Sequence, residues 1–210
     1  MLKAYKSVYF ALFVLVCSSF ASEAESILAK SGERLKSAKI WSMDFRVESR
    51  VSDGSVQAAY KGDFLLGSGD RFRLRLPGQH YYSDGISLWQ YNELQKQVMI
   101  KNSVETDGGM HPSEVMFRYL KCKPLSLSKG VFQGVPVHII QLDPKGQVKA
   151  FTAMEVWLKE SDQTPVKIVT TDKTGSTTLY EITNLRKDPN LGDSAFRFVA
   201  TKDVEEIDMR

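Results

Sequence analysis

The chain has 210 residues, of which 42% are hydrophobic and 25% charged, and it carries a formal net charge of +3 with two cysteines. That length is enough for one domain with a substantial core. So small a basic excess gives no indication of strong nucleic-acid binding.

The first 21 residues have the pattern of a secretory signal peptide. Lys3 and Lys6 precede an apolar run at residues 8–16 that is too short to span a bilayer, and Ser19-Phe20-Ala21 places small residues at a cleavage site. Cleavage removes two lysines and no acidic residue, so the net charge of +3 falls to +1. An uncleaved anchor and a lipoprotein modified on Cys17 are the alternatives. We predict export, cleavage and a single mature domain, residues 22–210.

Residues 23–39 have the apolar spacing of an amphipathic helix. Ala24, Ile27, Leu28, Leu35 and Ala38 recur near every 3.6 residues, and charged side chains stand between them. From residue 41 the period changes to two, which is typical of strands with one buried face. Turn signals at residues 52–55 and 67–69 separate these strands and indicate an antiparallel meander.

The segment from residue 70 to residue 92 has the clearest strand pattern. Its first strand alternates apolar residues with arginines at positions 71, 73 and 75, and Pro77-Gly78 ends it. Asp84-Gly85 then predicts a hairpin. The apolar residues are expected to build one large aromatic sheet face: Phe72, Leu74, Leu76, Leu88, Trp89 and Tyr91. The arginines permit two interpretations, an anion-binding stripe or an outer face that prevents edge pairing.

The second half is predicted to resume the strands after a helical interruption. Residues 102–111 have the composition of a loop, and residues 112–120 that of a short helix, because proline suits the first turn and an apolar stripe follows. Strands follow at about 126–132, 135–143, 152–159, 165–172 and 175–184, and an acidic run ends the chain. A sheet of about ten strands usually curls or closes, and barrel mouths are favoured ligand sites.

No motif in the chain indicates catalysis, a metal or a cofactor. His80, His111 and His138 lie at no metal-ligand spacing, and no serine or cysteine stands in a nucleophile motif. After cleavage Cys122 is the only cysteine, which excludes an intramolecular disulfide. A hydrolase with an unrecognised catalytic site is kept as an alternative function.

Several short motifs occur in a characteristic order after the signal peptide and the amphipathic helix. They are G-D-F at 62–64, R-F-R at 71–73, S-D-G at 83–85, L-W-x-Y-N at 88–92, Gln97-Val98 and F-R-F at 196–198. This order resembles the outer-membrane lipoprotein carrier family, LolA, over nearly the whole mature chain.

The resemblance implies a mainly β (α+β) fold. It would be an incomplete antiparallel β-barrel, or strongly curled sheet, of about ten to eleven strands with a helical lid over a hydrophobic cavity. It further implies a monomeric periplasmic chaperone without a cofactor. Such a carrier accepts acylated lipoproteins from an inner-membrane ABC-type release complex and takes them to an outer-membrane acceptor. Shielding is needed because each exposed CH₂ group costs about 0.8 kcal/mol in water.

The site expected from the resemblance and the apolar pattern has two parts. The cavity lining is expected to be Trp41, Phe45, Phe64, Phe72, Leu74, Leu76, Tyr81, Trp89 and Tyr91. The lid is expected to be Ile27, Leu28, Leu35, Val115, Met116 and Tyr119.

One turn departs from the family pattern. Similar carriers have a basic residue followed by proline before the first arginine-rich strand, and this pair is tied to controlled opening; here the turn is Gly67-Ser68-Gly69-Asp70. A periplasmic sensor or signalling protein of the same fold, which also binds lipids or lipoproteins, is the alternative function.

Overall fold

The computed structural model describes residues 22–103, 117–146 and 150–210. These residues include helix α1 at 22–36 and two one-turn 3-10 helices, Arg118–Lys121 and Asp193–Phe196. The strands are β1 (Ile40–Arg50), β2 (Val56–Gly67), β3 (Arg71–Leu76), β4 (Gln79–Asp84), β5 (Ser87–Asn92), β6 (Gln97–Asn102), β7 (Lys123–Phe132), β8 (Val135–Asp143), β9 (Phe151–Lys159), β10 (Pro165–Asp172), β11 (Thr177–Lys187) and β12 (Glu205–Asp208).

The strands belong to one sheet in the order β12-β6-β5-β4-β3-β2-β1-β11-β10-β9-β8-β7. This order is linear, so the described sheet is open, and β12 and β7 lie at its ends. The mainly β fold with a large, mostly antiparallel sheet is therefore confirmed. The sheet has twelve strands rather than ten to eleven, because the acidic run near the C-terminus forms β12 and pairs in parallel with β6.

By contact density the described chain divides into two compact units. The first combines the chain up to Leu35 with Tyr119–Lys173 and so holds β7–β10 and nearly all of α1. The second combines Lys36–Arg118 with Thr174–Arg210 and holds the other strands. That the mature chain is a single domain stays a prediction.

In the first unit, α1 buries one stripe of side chains. Ala24, Ile27, Leu28, Ser31 and Leu35 are all buried, at the spacing of one helical face. The predicted helix is thus confirmed, although it ends at residue 36 rather than 39. The strands of this unit bury a second apolar surface, in which Ile140, Val156 and Ile168 lie side by side on β8, β9 and β10.

In the second unit, the strand register defines two faces, since directly paired residues of neighbouring strands share a face. We call one of them the neutral face. Two of its rows cross six strands: Trp41–Leu66–Phe72–Ser83–Leu88–Lys101 and Met43–Phe64–Leu74–Tyr81–Gln90–Met99. The next row contains Phe45, Gly62, Leu76, Gln79, Asn92 and Gln97.

The expectation of a single aromatic face between residues 70 and 92 is wrong. Trp89 pairs with Tyr82, and Tyr91 pairs with His80, so both lie on the face opposite to Phe72, Leu74 and Leu76. The cause is the hairpin register, in which Ser83 pairs with Leu88. That register places the even-numbered residues of β5 on the neutral face and the odd-numbered ones on the other.

The C-terminal segment covers the opposite face of β3–β5. The ring of Phe198 packs on Tyr91 and Tyr82, with centroid distances of 4.8 and 5.6 Å. Phe196 is fully buried, and the Arg71 guanidinium lies 5.1 Å from its ring centroid. The F-R-F motif therefore serves as packing for Tyr82 and Tyr91 rather than as part of the neutral face.

Candidate functional site

The neutral face of β1–β3, together with Tyr81 of β4, is a continuous apolar surface with a buried end and an accessible end. Trp41, Met43, Phe64 and Phe72 are at most 4% exposed, and the rings of Phe64 and Phe72 lie 6.5 Å apart. The accessible end is half-buried and consists of Phe45, Leu74, Leu76 and Tyr81. This accessible end can contact an apolar ligand without unfolding the strands.

Gly62 shapes the accessible end, and it is the glycine of the G-D-F motif. A Cβ atom at this position would lie 2.5 Å from the carbonyl oxygen of Arg75 and 2.6 Å from Cζ of Phe45. Only a residue without a side chain lets the Phe45 ring lie over this point of β2.

Charge is segregated between the two faces of this sheet. In the regularly paired parts of β1–β6 that the structure describes, Lys101 is the only charged residue on the neutral face, and it is itself engaged in an interaction. The opposite face carries Asp44, Arg46, Glu48, Lys61, Asp63, Arg71, Arg73, Arg75 and Asp84. Such a separation suits a neutral ligand on one face and water on the other.

The neutral face changes from apolar to polar between β3 and β5. Tyr81 lies between Leu74 and Gln90, and Gln79 lies between Leu76 and Asn92. Gln79 and Gln90 are half-buried, and their side chains have no hydrogen-bond partner among the described residues. Neither glutamine stands in a sequence motif that predicts a binding role. Their position relative to Leu74 and Leu76 depends on a hairpin register that composition does not reveal.

The arginines of β3 are held in ion pairs on the opposite face. Arg75 Nε and Arg73 Nη2 lie 2.7 and 3.2 Å from the two carboxylate oxygens of Asp63, and Arg71 Nη1 lies 2.6 Å from Asp193. This arrangement favours the outer-face interpretation over an anion-binding stripe. A groove of about 530 Å³ is lined mainly by residues of this face, namely Asp44, Arg46, Lys61, Asp63, Glu181 and Thr183, and also by Phe45 and Gly62. Its charged lining makes it a poor site for acyl chains.

The S-D-G motif is explained by the hairpin between β4 and β5. Asp84 Oδ1 accepts hydrogen bonds from the N–H groups of Ile86 and Ser87 at 3.0 and 2.9 Å, and Oδ2 lies 3.0 Å from Nε of Arg197. Burial by itself would raise the pKa of Asp84, but these donors outweigh it, so the pKa lies below its usual value. A Cβ on Gly85 would lie 2.5 Å from the carbonyl oxygen of Gly69, so this position requires glycine.

The expected lid residues are described in part. Ile27, Leu28, Leu35 and Tyr119 are buried within the first unit, whereas Val115 and Met116 lie outside the described residues. Tyr119 and Ser31 share a hydrogen bond of 2.7 Å between their hydroxyl groups. Burial raises the pKa of Tyr119 despite this bond. Their role as a lid stays a prediction.

The histidines form no catalytic arrangement among the described residues. His80 Nε2 lies 3.0 Å from Glu93 Oε1 on the opposite face, and His138 is buried among apolar strand residues with Nδ1 unpaired in the described structure. His111 lies outside the described residues. No group of three or more His, Cys, Asp or Glu residues in the described ranges is placed to hold a metal ion.

None of the described helices combines the length and the apolar character needed to cross a membrane.

The open sheet therefore presents one neutral face with an accessible apolar surface, which is the geometry of a binding site for an apolar ligand. The family model "Outer membrane lipoprotein carrier protein LolA" matches residues 36–199. The chain therefore belongs to the LolA family of periplasmic carrier and binding proteins.

Individual relatives are distant. The outer-membrane lipoprotein carrier protein of Cupriavidus necator is 24% identical over 176 residues, which cover 81% of each chain. An uncharacterized conserved protein from Thermus thermophilus superposes with a TM-score of 0.59 at 16% identity and covers 89% of this chain and 99% of its own. LprF from Mycobacterium bovis has a TM-score of 0.52 at 11% identity, covering 82% and 96%. These structural likenesses show the fold.

Proposed function

We propose that this protein is a periplasmic chaperone that binds the acyl chains of lipoproteins on its neutral face and carries them from the inner to the outer membrane. The observation that supports this role is the segregation of charge in the second unit. An aromatic and aliphatic surface with a half-buried, accessible end lies on one face of β1–β3 and at Tyr81 of β4, and paired ions lie on the other face. Membership in the LolA family agrees with it.

The chemistry of the accessible residues fits acyl chains. Phe45, Leu74, Leu76 and Tyr81 offer apolar surface, and each CH₂ group that leaves water for such a surface gains about 0.8 kcal/mol. Binding by many weak contacts, without a charged anchor, also permits release to a membrane that offers the same chains a similar environment. Trp89 and Tyr91 are not part of the proposed surface, because they lie on the opposite face.

In this role the chain is exported with its signal peptide removed and acts as a monomer in the periplasm. An inner-membrane ABC-type release complex supplies acylated lipoproteins, and an outer-membrane acceptor receives them. The lid residues Ile27, Leu28, Leu35 and Tyr119, together with Val115 and Met116, are proposed to shield the chains during transfer.

The test combines binding with a charge-insertion variant on β3. Native mass spectrometry of the mature protein with a triacylated lipoprotein is expected to show a one-to-one complex that a non-acylated control does not form. Leu74→Glu places a carboxylate between Phe64 and Tyr81 and should weaken binding by about 100-fold, because an unpaired charge against acyl chains costs several kcal/mol. Lys61→Glu, an exposed position on the opposite face of β2, is the matched control and should bind normally.

Equal binding by wild type and a folded Leu74→Glu variant would remove Leu74 from the site. Absence of any complex with the folded wild-type protein would contradict the carrier proposal. Transfer between inner- and outer-membrane vesicles then tests carriage itself. A protein that binds acyl chains but never transfers them would be a sensor rather than a carrier.

A further inference from the structure

The two glutamine side chains of the neutral face have no role in holding acyl chains. Gln79, Tyr81 and Gln90 are neighbours on β4 and β5, and all three are half-buried. Tyr81 pairs directly with Leu74, and Gln79 pairs with Leu76, so this polar group borders the accessible apolar surface without a gap. The rest of a ligand whose chains lay on β1–β3 could therefore reach β4 and β5.

The chemistry of these side chains selects a neutral hydrogen-bonding group. Each primary amide offers two N–H donors and a carbonyl acceptor, and the Tyr81 hydroxyl both donates and accepts. Among the described residues, none of these three side chains has a hydrogen-bond partner in the protein. Their polar atoms are not sealed from solvent, so a hydrogen-bonding group of a ligand can replace the water that satisfies them. On the described part of this face, in β1–β6, the only charged residue is Lys101, which is already engaged, so an ionised headgroup would find no unpaired countercharge there.

We propose that Gln79, Tyr81 and Gln90 form a subsite for the amide groups at the acylated N-terminus of the lipoprotein, next to the surface that holds its acyl chains. This inference rests on the proposed function and specifies its ligand. Peptide groups offer N–H donors and C=O acceptors, and a glutamine side chain can donate to the carbonyl oxygen of one and accept from the N–H of another. The subsite would let the protein distinguish a lipoprotein from a lipid that carries the same chains.

The test compares ligands with identical palmitoyl chains and different heads. Binding of a synthetic tripalmitoylated lipopeptide, of methyl palmitate and of a palmitoylated glycosyl diacylglycerol is measured by displacement of a fluorescent probe. The double variant Gln79→Leu/Gln90→Leu should bind the lipopeptide about tenfold more weakly, which corresponds to one or two neutral hydrogen bonds. Its affinity for methyl palmitate should be unchanged. Tyr81→Phe, which removes only the hydroxyl group, should show a smaller loss of lipopeptide affinity than the double variant.

The control is Gln141→Leu, the same substitution at an exposed position of β8 in the other unit, and it should leave all affinities unchanged. Equal effects of the double variant on lipopeptide and methyl palmitate would overturn the subsite and leave the carrier proposal intact. A larger loss for the glycolipid than for the lipopeptide would overturn the peptide assignment. If the folded wild-type protein binds none of the three ligands, the subsite and the carrier proposal both fail.

Discussion

Gly62 shows at the scale of one residue how the neutral face acquires its shape. The missing side chain allows the Phe45 ring and the Leu76 side chain to approach the backbone of β2. Gly67 acts similarly on the opposite face, where a Cβ would lie 2.8 Å from the buried Phe196 ring. Gly62 and Gly67 thus make room for aromatic rings on opposite faces of β2.

We expect Gly62→Ala to lower the free energy of unfolding by about 1–3 kcal/mol, because the new methyl group meets backbone as well as a ring and the strands must shift. The urea midpoint of unfolding measures it. Gly192→Ala is the control, since its Cβ would meet nothing closer than 3.9 Å and its φ of −82° suits any residue. A Gly62→Ala variant as stable as the control would show that Phe45 moves aside freely.

At the scale of elements, one buried hydrogen bond connects α1 to the turn that precedes β7. Ser31 is the polar member of an otherwise apolar helix stripe, and its hydroxyl meets that of Tyr119, both fully buried. At the neighbouring Gly32, a Cβ atom would lie 3.7 Å from the Leu120 side chain, which is an ordinary contact distance. The contact fixes the residues around Tyr119 on the helix.

Tyr119→Phe should destabilise the protein by about 1–2 kcal/mol, because the Ser31 hydroxyl then stays buried without its partner. The double variant Ser31→Ala/Tyr119→Phe should lose less than the sum of the two single variants. Chemical denaturation of all four proteins gives the coupling energy, expected near ~1 kcal/mol. Strict additivity of the two substitutions would show that the hydrogen bond contributes nothing to stability.

At the scale of the whole molecule, several carboxylates are more acidic in the folded chain than in the unfolded one. Hydrogen bonds lower the pKa of Glu48 through Arg50, of Asp188 through the Ile40 N–H group, and of Asp203, to about 2, through the Thr201 hydroxyl. The pKa of Asp84 is shifted in the same direction despite its burial. As the pH falls, these carboxylates therefore bind protons at a higher pH in the unfolded chain than in the folded chain.

The free energy of unfolding should accordingly be at its full value above about pH 5 and decrease as the pH falls toward about 2. Urea midpoints at about pH 7, 4 and 2.5 measure this decrease. Asp84→Asn should lower stability at neutral pH and reduce the further loss in acid, since its carboxylate no longer titrates. A urea midpoint that stays constant over this whole pH range would contradict the lowered pKa values of these carboxylates.

Local sequence signals determined most of the fold. The alternation in β3 predicted Arg71–Leu76 as it is observed, and Pro77-Gly78 and Asp84-Gly85 marked real turns. The apolar spacing predicted α1 and the buried positions 27, 28 and 35. These features depend on a few neighbouring residues, because side-chain period and turn chemistry are local properties.

Register and long-range pairing were decided only by the tertiary structure. Trp89 and Tyr91 look equivalent to Phe72 in sequence, yet the pairing of Ser83 with Leu88 turns them to the opposite face, where Tyr91 packs on Phe198. The acidic run gave no strand signal, because β12 forms only where β6 offers a free edge. The same register places Gln79 and Gln90 beside the apolar surface. The sequence supplies the residue types, but which of them share a face depends on loop lengths and on partners far along the chain.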